Sequence, residues 1–243
     1  MNAFHTLSAS ALVLALVGCG GSTSDTPTPT PAPTPTVAAM QGIWQSAAGA
    51  ASSTSAIALP DGTLWTVLVN TSGTVLQKSS VTSQTTGFAG TGKAYTLGST
   101  TVQSITSTVS FVEKTSLSGT VTRAGQAEPF ALTYLSRYDT PAVLADLAGT
   151  WTVTLGPGVT TWTVGSTGAL TGSRTTGCTY TGQFSLRSEQ KAVMDVAVTE
   201  TCATVVTKLS GVATLSSDKS TLSTVMTTTA DAAGFVAGFA RSK

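Results

Sequence analysis

The stretch CTYTGQFSLRSEQKAVMDVAVTETC, residues 178–202, decides the fold. On either side of its polar middle, every second residue except Glu200 is apolar or small, which is the pattern of a strand with one buried face. A hairpin turned about Gln190 sets Leu186 opposite Met194 and Phe184 opposite Val196. The stretch therefore predicts two antiparallel strands that share a buried face.

The same register places Cys178 directly opposite Cys202. Directly opposed residues of antiparallel strands lie within disulfide reach, and the export signal described below implies an oxidising compartment. We therefore predict a Cys178–Cys202 disulfide, whose closed loop contributes on the order of 3 kcal/mol to stability. The alternative is a pair of free buried thiols.

Outward from this hairpin, turns divide each half of the chain into about eight short strands. Proline presets φ and glycine accepts a positive φ in the turn Pro60-Asp61-Gly62. The next turn is Asn70-Thr71-Ser72-Gly73, and Gly156-Pro157-Gly158 and Gly165-Ser166-Thr167-Gly168 match the two turns in the second half. We expect an all-β fold of two tandem small eight-stranded antiparallel meander barrels or sandwiches.

Short motifs recur in the same order in both halves, as a duplication would produce. Gly42-Ile43-Trp44 matches Gly149-Thr150-Trp151. Further along the chain, Trp65 matches Trp162. The remaining matches are Thr91-Gly92 with Thr181-Gly182 and Leu117-Ser118-Gly119 with Leu209-Ser210-Gly211.

The N-terminal residues resemble a bacterial lipoprotein signal peptide. An apolar run over residues 9–17 is too short to span a bilayer, and Leu16-Val17-Gly18-Cys19 is similar to the lipobox of that family. The resemblance implies cleavage after residue 18, diacylglycerol on the Cys19 sulfur and N-acylation, which together anchor a protein stably. Gly20, rather than Asp, favours the outer membrane by the family's sorting rule. The alternative is a plain secretory peptide cut near Gly18.

The domain organisation follows from these features. Residues 1–18 form the lipoprotein signal peptide, and residues 19–37 comprise the acylated cysteine and a Pro/Thr-rich linker. Alternating prolines favour polyproline II and leave almost nothing apolar for a core, so we expect a disordered stalk that spans about 3.1 Å per residue. The first β-barrel repeat covers residues 38–140 and the second covers residues 141–243.

The repeats resemble the calycins, the superfamily of lipocalins and avidins, in their lead-in, Gly-x-Trp first strand, eight meandering strands and late arginine. The resemblance implies that a tryptophan closes one barrel end and an arginine packs over its ring, a cation–π contact. The matching pairs are Trp44 with Arg137 and Trp151 with Arg241. The alternative is that these tryptophans are ordinary core aromatics of a β-sandwich. The whole chain also resembles uncharacterised stalked lipoproteins of Gram-negative bacteria.

Composition argues against several classes of function. Charged residues are 9% of the chain and the formal net charge is +1, so we expect no nucleic-acid partner. The only histidine, His5, leaves with the signal peptide, which excludes histidine-dependent catalysis and histidine-ligated metals in the mature chain. We expect no enzymatic activity, no metal and no cofactor. Strand parity places Glu200 on the core face opposite Tyr180, where we expect it near a barrel mouth or paired with a cation.

These observations predict an envelope lipoprotein, anchored through Cys19, that acts as a binding or interaction module at the cell surface or in the periplasm. Its partner is an unidentified envelope protein. One alternative is a lipocalin-like carrier of a small apolar ligand, and another is an envelope enzyme inhibitor. Eight strands enclose room for side chains or for one small ligand. Whether large side chains fill the interior therefore distinguishes a small-molecule carrier from a module without a cavity. The large residues expected to face inward are Phe88, Tyr95, Phe111, Tyr180 and Phe184.

Overall fold

The computed structural model describes residues 35–50, 52–85 and 87–242, and shows an all-β protein with two closed eight-stranded antiparallel barrels in tandem. The first barrel consists of β1 (Gly42–Gln45), β2 (Ser53–Ala58), β3 (Thr63–Asn70), β4 (Gly73–Ser83), β5 (Phe88–Thr96), β6 (Val102–Val112), β7 (Ser116–Arg123) and β8 (Gln126–Tyr134). The second consists of β9 (Gly149–Leu155), β10 (Gly158–Val164), β11 (Ala169–Arg174), β12 (Cys178–Leu186), β13 (Val193–Cys202), β14 (Val205–Leu215), β15 (Thr221–Thr228) and β16 (Gly234–Arg241). Short 3-10 turns lie at Val37–Met40, Ser136–Asp139 and Leu144–Leu147.

Each barrel is a meander in which every strand pairs with the next one along the chain. The first barrel closes where Trp44 pairs with Tyr134, and the second where Arg241 pairs with Trp151. The turns form as their residues predict. Gly62 has a φ of 88°, and the Asp61 carboxylate accepts the Thr63 backbone N–H at 2.8 Å, as in an Asx turn.

The second barrel is filled by aromatic side chains. Trp162 stacks on Phe239 with ring centroids 4.1 Å apart, and the edges of Tyr180 and Phe184 approach the same indole. Trp162, Phe184 and Phe239 are completely buried. Close packing of this kind leaves no room for a ligand among these rings.

The first barrel is packed at both ends by separate clusters. The first cluster, which includes Met40, Trp44 and Phe88, closes the end where the chain enters the barrel. Val75, Ile105 and their neighbours form a smaller cluster towards the other end. The inward residues between these clusters are small or polar, so the middle of the barrel is not filled.

The outer walls of the two barrels pack against each other through an apolar cluster. Trp65 is 4% exposed and Tyr95 is 2% exposed, although both lie on the outside of the first barrel. Val212 and Val225 cover them from the second barrel. The prediction that Tyr95 faces a barrel interior is therefore wrong, because its strand face is buried by the neighbouring barrel instead.

Polar contacts surround this apolar cluster. Asp231, at the β15–β16 turn, forms an ion pair with Lys78 at 3.0 Å, and its backbone oxygen accepts a hydrogen bond from Lys93. In the segment between the barrels, Asp139 accepts hydrogen bonds from Lys114 and Lys191, both at 2.9 Å. Because Lys191 belongs to the second barrel and Lys114 to the first, Asp139 links the two.

The tandem repeat is present as architecture, but the motif matches do not all fall on equivalent strands. Trp44 and Trp151 both lie on the first strand of their barrel. Trp65, however, lies on the third strand and faces outward, whereas Trp162 lies on the second strand and faces inward. The matches at residues 91–92 and 117–119 are displaced by one strand in the same way. Short Thr/Gly/Leu motifs recur from hairpin to hairpin, so their order alone does not identify a strand.

The Asp139 link gives a pH-dependent prediction. Hydrogen bonds from Lys191 and Lys114 lower the pKa of Asp139 from 3.8 to about 2, so its contribution to stability is complete above pH 4 and is lost as the pH falls through 2. We expect Asp139→Asn to lower the free energy of unfolding by about 1 kcal/mol at pH 7, since the pair is partly exposed. At pH 2.5 the effect should be clearly smaller, as measured by urea denaturation.

Glu113→Gln, which alters an exposed carboxylate beside Lys114, is the control. Equal effects of Asp139→Asn at both pH values would contradict the assignment.

Candidate binding cavity

The first barrel contains a cavity of about 280 Å³. Pockets for small molecules usually enclose about 300–1,000 Å³, so this one suits a ligand at the small end of that range. The cavity lies between the two packed ends described above. Its lining comes from β2, β3, β4, β6, β7 and β8.

A single pair of positions shows why one barrel is hollow and the other is filled. On the first strand of each barrel, the tryptophan of the Gly-x-Trp motif has one direct neighbour on the second strand. Trp44 pairs with Ala56, whereas Trp151 pairs with Trp162. The second barrel therefore places an indole where the first has a methyl group, and Ala56 lines the cavity.

The cavity has three levels along the barrel axis. The floor, nearest the end that Trp44 closes, is apolar and consists of Ala56, Leu64, Leu117 and Leu132. Above it runs a polar belt, defined as Thr54, Thr66, Gln77, Ser79 and Ser107. The mouth consists of Ser52, Leu68, Asn70, Val121, Glu128, Pro129 and Phe130.

The mouth lies beside the free edge of β8. β1 pairs with just Tyr134 and Thr133 of β8, whereas the chain after Gln45 stays with β2, where the Ser46 backbone N–H donates to Thr54 O at 2.8 Å. Beyond Thr133, Pro129 of β8 lines the cavity. Proline lacks an N–H and is tolerated on a strand where no neighbour requires one, which agrees with a free edge of β8 at this place.

Among the residues that the structure describes, charge at the cavity is confined to its mouth. Glu128 is the one charged residue of this lining, and its carboxylate forms an ion pair with Arg123 at 2.6 Å. The Arg123 side chain is 18% exposed and that of Glu128 is 35% exposed. The wall therefore carries no uncompensated charge.

None of the cavity-lining residues was predicted as a site from the sequence, although a usable signal was present. Inward positions of β4 and β6 carry Gln77, Ser79 and Ser107, all of which are less than 10% exposed. Polar residues at buried positions of a strand are uncommon unless they have partners. The size of the cavity depends on how all eight strands close, which local alternation does not specify.

The structure brings the predicted Trp151 and Arg241 together. The Arg241 guanidinium lies 4.2 Å from the centroid of the Trp151 ring, and it donates to the backbone oxygens of Ala148 and Lys219. The Trp151 indole N–H donates to Leu147 O at 2.8 Å. The arginine thus ties the end of the last strand to the segment that precedes the first strand of the second barrel.

The first barrel has a different arrangement at the equivalent place. Trp44 meets Tyr134 edge-on with ring centroids 5.2 Å apart, and Arg137 instead donates to Leu215 O of the second barrel at 3.4 Å. Partial burial lowers the pKa of Arg137. The position expected to hold an arginine over Trp44 is therefore taken by a tyrosine, and Arg137 contributes to the contact between the barrels.

The predicted Cys178–Cys202 disulfide is present. β12 and β13 pair in the expected register, with Cys178 opposite Cys202 and Tyr180 opposite Glu200. The Tyr180 hydroxyl donates to the Glu200 carboxylate at 2.6 Å, and burial together with this bond raises the pKa of Tyr180 to about 12. Glu200 and the two sulfurs lie within 4.8 Å of one another, but sulfurs joined in a disulfide are not thiolate ligands for a metal.

Other predicted features lie outside the described residues. These are the signal peptide, Cys19 and the Pro/Thr-rich linker up to residue 34. Among the residues that are described, no helix is both long enough and apolar enough to cross a membrane.

The disulfide gives a direct stability prediction. We expect the double variant Cys178→Ala, Cys202→Ala to lose on the order of 3 kcal/mol in unfolding free energy, because the bond closes a loop whose ends are 24 residues apart. Guanidinium denaturation measures the loss. Reduction of the unaltered protein is the matched control and should give a similar loss, since it opens the same loop without changing side-chain volume much. A double variant as stable as the oxidised protein would mean that the hairpin is held by its strand pairing alone.

Comparison with known proteins does not assign this chain to a family. No protein-family model, no curated protein and no solved structure matches this chain. A function has to be argued from the cavity and from the sequence features that surround it.

Proposed function

We propose that this protein is an envelope lipoprotein whose first barrel binds a small molecule. The observation that carries the proposal is the contrast between the two barrels. The first has a cavity of about 280 Å³ at the level where the second is filled by Trp162 and its aromatic neighbours. Natural cores rarely keep voids larger than a water molecule, so a hollow barrel beside a filled one of the same architecture favours a binding role.

The N-terminal sequence supports the proposed location. The lipobox-like residues 16–19 and the Pro/Thr-rich residues that follow suit a barrel pair lifted away from a membrane by an acylated stalk. We place the protein in the cell envelope, at the outer membrane, on account of Gly20. The stalk would let the cavity exchange ligand with the surrounding compartment.

A calycin-like assignment is part of the proposal. It is supported by the eight-stranded meander, by Trp151 beneath Arg241 at 4.2 Å, and by the tryptophan that closes one end of each barrel. In this proposal the second barrel is a support. Its apolar contact with Trp65 and Tyr95 stiffens the wall of the first barrel, and rigid walls lower the entropy that a ligand must give up.

The proposal predicts that a bulky residue at position 56 prevents ligand binding. We expect Ala56→Trp, which copies the Trp162 arrangement, to occupy the cavity and exclude the native ligand. Native mass spectrometry of protein purified from its own envelope, compared with the denatured mass of the same sample, measures this. The unaltered protein should carry an extra mass that is lost on denaturation, and the variant should not.

Two further variants make this experiment decisive. Ala131→Trp adds the same side chain at an exposed position of β8 and should retain the ligand. Thr66→Phe fills part of the polar belt and should also exclude the ligand if Ala56→Trp does not fold. An unaltered protein with no bound mass, or a folded Ala56→Trp variant that still carries it, would show that the cavity is not the binding site.

The proposed anchor predicts the effect of removing the acylated sulfur. Cys19→Ser should abolish acylation and move the protein from the membrane fraction to the soluble fraction, because the acyl chains supply the membrane affinity. Fractionation with intact-mass measurement checks both points, and the unaltered protein is the reference. An unaltered protein whose mass lacks the acyl groups would instead support the plain secretory signal peptide.

A further inference from the structure

One hydroxyl group inside the cavity has no hydrogen-bond partner. Ser107 is 8% exposed and lines the cavity on β6, and within the described residues its Oγ has neither a donor nor an acceptor. An unpaired buried hydroxyl costs about 1–3 kcal/mol. Most buried polar side chains are paired for this reason, and a ligand group that pairs with the Ser107 hydroxyl would remove this cost.

The neighbouring strand leaves room for this hydroxyl. Gly90 of β5 lies directly opposite Ser107, and a Cβ atom at position 90 would come within 2.4 Å of Ser107 Oγ. A side chain larger than hydrogen would therefore displace the hydroxyl. The hydroxyl thus lies beside Gly90, in the wall at mid-depth in the barrel.

Ser107 belongs to a belt of similar groups. Thr54, Gln77 and Ser79 are also buried, at 7%, 4% and 6% exposure, and they line the same cavity. Hydroxyls and a primary amide supply both donors and acceptors. A ligand made only of hydrocarbon would leave this belt desolvated and unpaired, which is unfavourable.

The lining also argues against a charged ligand. Glu128, the one charged residue of the lining within the described ranges, is already paired with Arg123 at 2.6 Å, so an ion there would meet no free counter-charge. Moving an unpaired charge out of water costs far more than moving a hydroxyl. The charge balance of the wall therefore favours a neutral molecule.

We infer that the cavity binds a neutral small amphiphile, whose apolar part rests on the floor of Leu64, Leu117 and Leu132 and whose hydroxyl or carbonyl group hydrogen-bonds to Ser107. The inference depends on the proposed function of the cavity. It differs from the carrier of a purely apolar ligand, because a belt of polar side chains lies above the apolar floor of the cavity. The ligand enters beside the edge of β8, where Glu128, Pro129 and Phe130 belong to the mouth.

Three probes that share one ring system test the ligand class. Naphthalene is apolar, 1-naphthol adds a hydroxyl group and 1-naphthoate adds a negative charge. In fluorescence titrations at pH 7 we expect 1-naphthol to bind at least about fivefold more tightly than naphthalene, from one added hydrogen bond. We expect 1-naphthoate to bind at least about tenfold more weakly than 1-naphthol.

Substitution of Ser107 locates the hydrogen bond. Ser107→Ala should weaken 1-naphthol binding by about two- to tenfold and leave naphthalene binding unchanged. Gly90→Ala should have the same effect, since it displaces the hydroxyl without removing the serine. Ser104→Ala, at an exposed position of the same strand, is the matched control and should change neither affinity.

The outcomes separate this inference from the proposed function. Equal binding of naphthalene and 1-naphthol, unchanged by Ser107→Ala but abolished by Ala56→Trp, overturns the ligand class and leaves the cavity as a binding site. Tighter binding of 1-naphthoate overturns it as well. Binding of all three probes that persists in the folded Ala56→Trp variant, or no binding of any of them, counts against both.

Discussion

A closed eight-stranded barrel encloses a volume set by its strand number and tilt, so whatever the inward side chains do not fill remains open. The rest of this structure depends on that constraint. In the second barrel, inward side chains fill this volume, and Trp162 stacks on Phe239 at 4.1 Å. In the first barrel, Ala56 occupies the position that Trp162 takes, and a cavity remains. One architecture thus gives two interiors by a change in inward side-chain volume.

The contact between the barrels offsets what the hollow barrel lacks. Burial of apolar surface stabilises a fold by about 25 cal/mol per Å², and the first barrel gives up some of this burial in its own interior. It buries Trp65, Leu76 and Tyr95 on its outer wall instead, against valines of the second barrel. A Cβ at Gly234 would lie 2.7 Å from Tyr95 Cβ, which shows how closely the walls approach. The two barrels are therefore better regarded as one unit than as separate modules.

Features that follow from strand parity were predictable from sequence. The period of two places Cys178 opposite Cys202 and Tyr180 opposite Glu200, and the structure has both pairs. Parity states which residues share a face, but not whether that face meets a barrel interior or a neighbouring barrel. For this reason parity did not show that Tyr95 and Trp65 face the neighbouring barrel. The buried polar residues of β4 and β6 were a signal for the cavity, but its volume could not be predicted because six strands contribute to it and no single stretch specifies it.

The polar belt makes it unfavourable to fill the cavity with apolar side chains. A void with an apolar lining is removed by any substitution that fills it, and such a change usually stabilises the protein. The belt of Ser107, Ser79 and Gln77 disfavours such a substitution, because an apolar side chain inserted there would bury hydroxyl and amide groups without partners.

A barrel that served only as structure would gain from the aromatic filling that the second barrel already has. The first barrel keeps instead both the small residue at position 56 and the unpaired hydroxyl at position 107. Each alone costs stability, and together they form a site for a molecule that is partly polar.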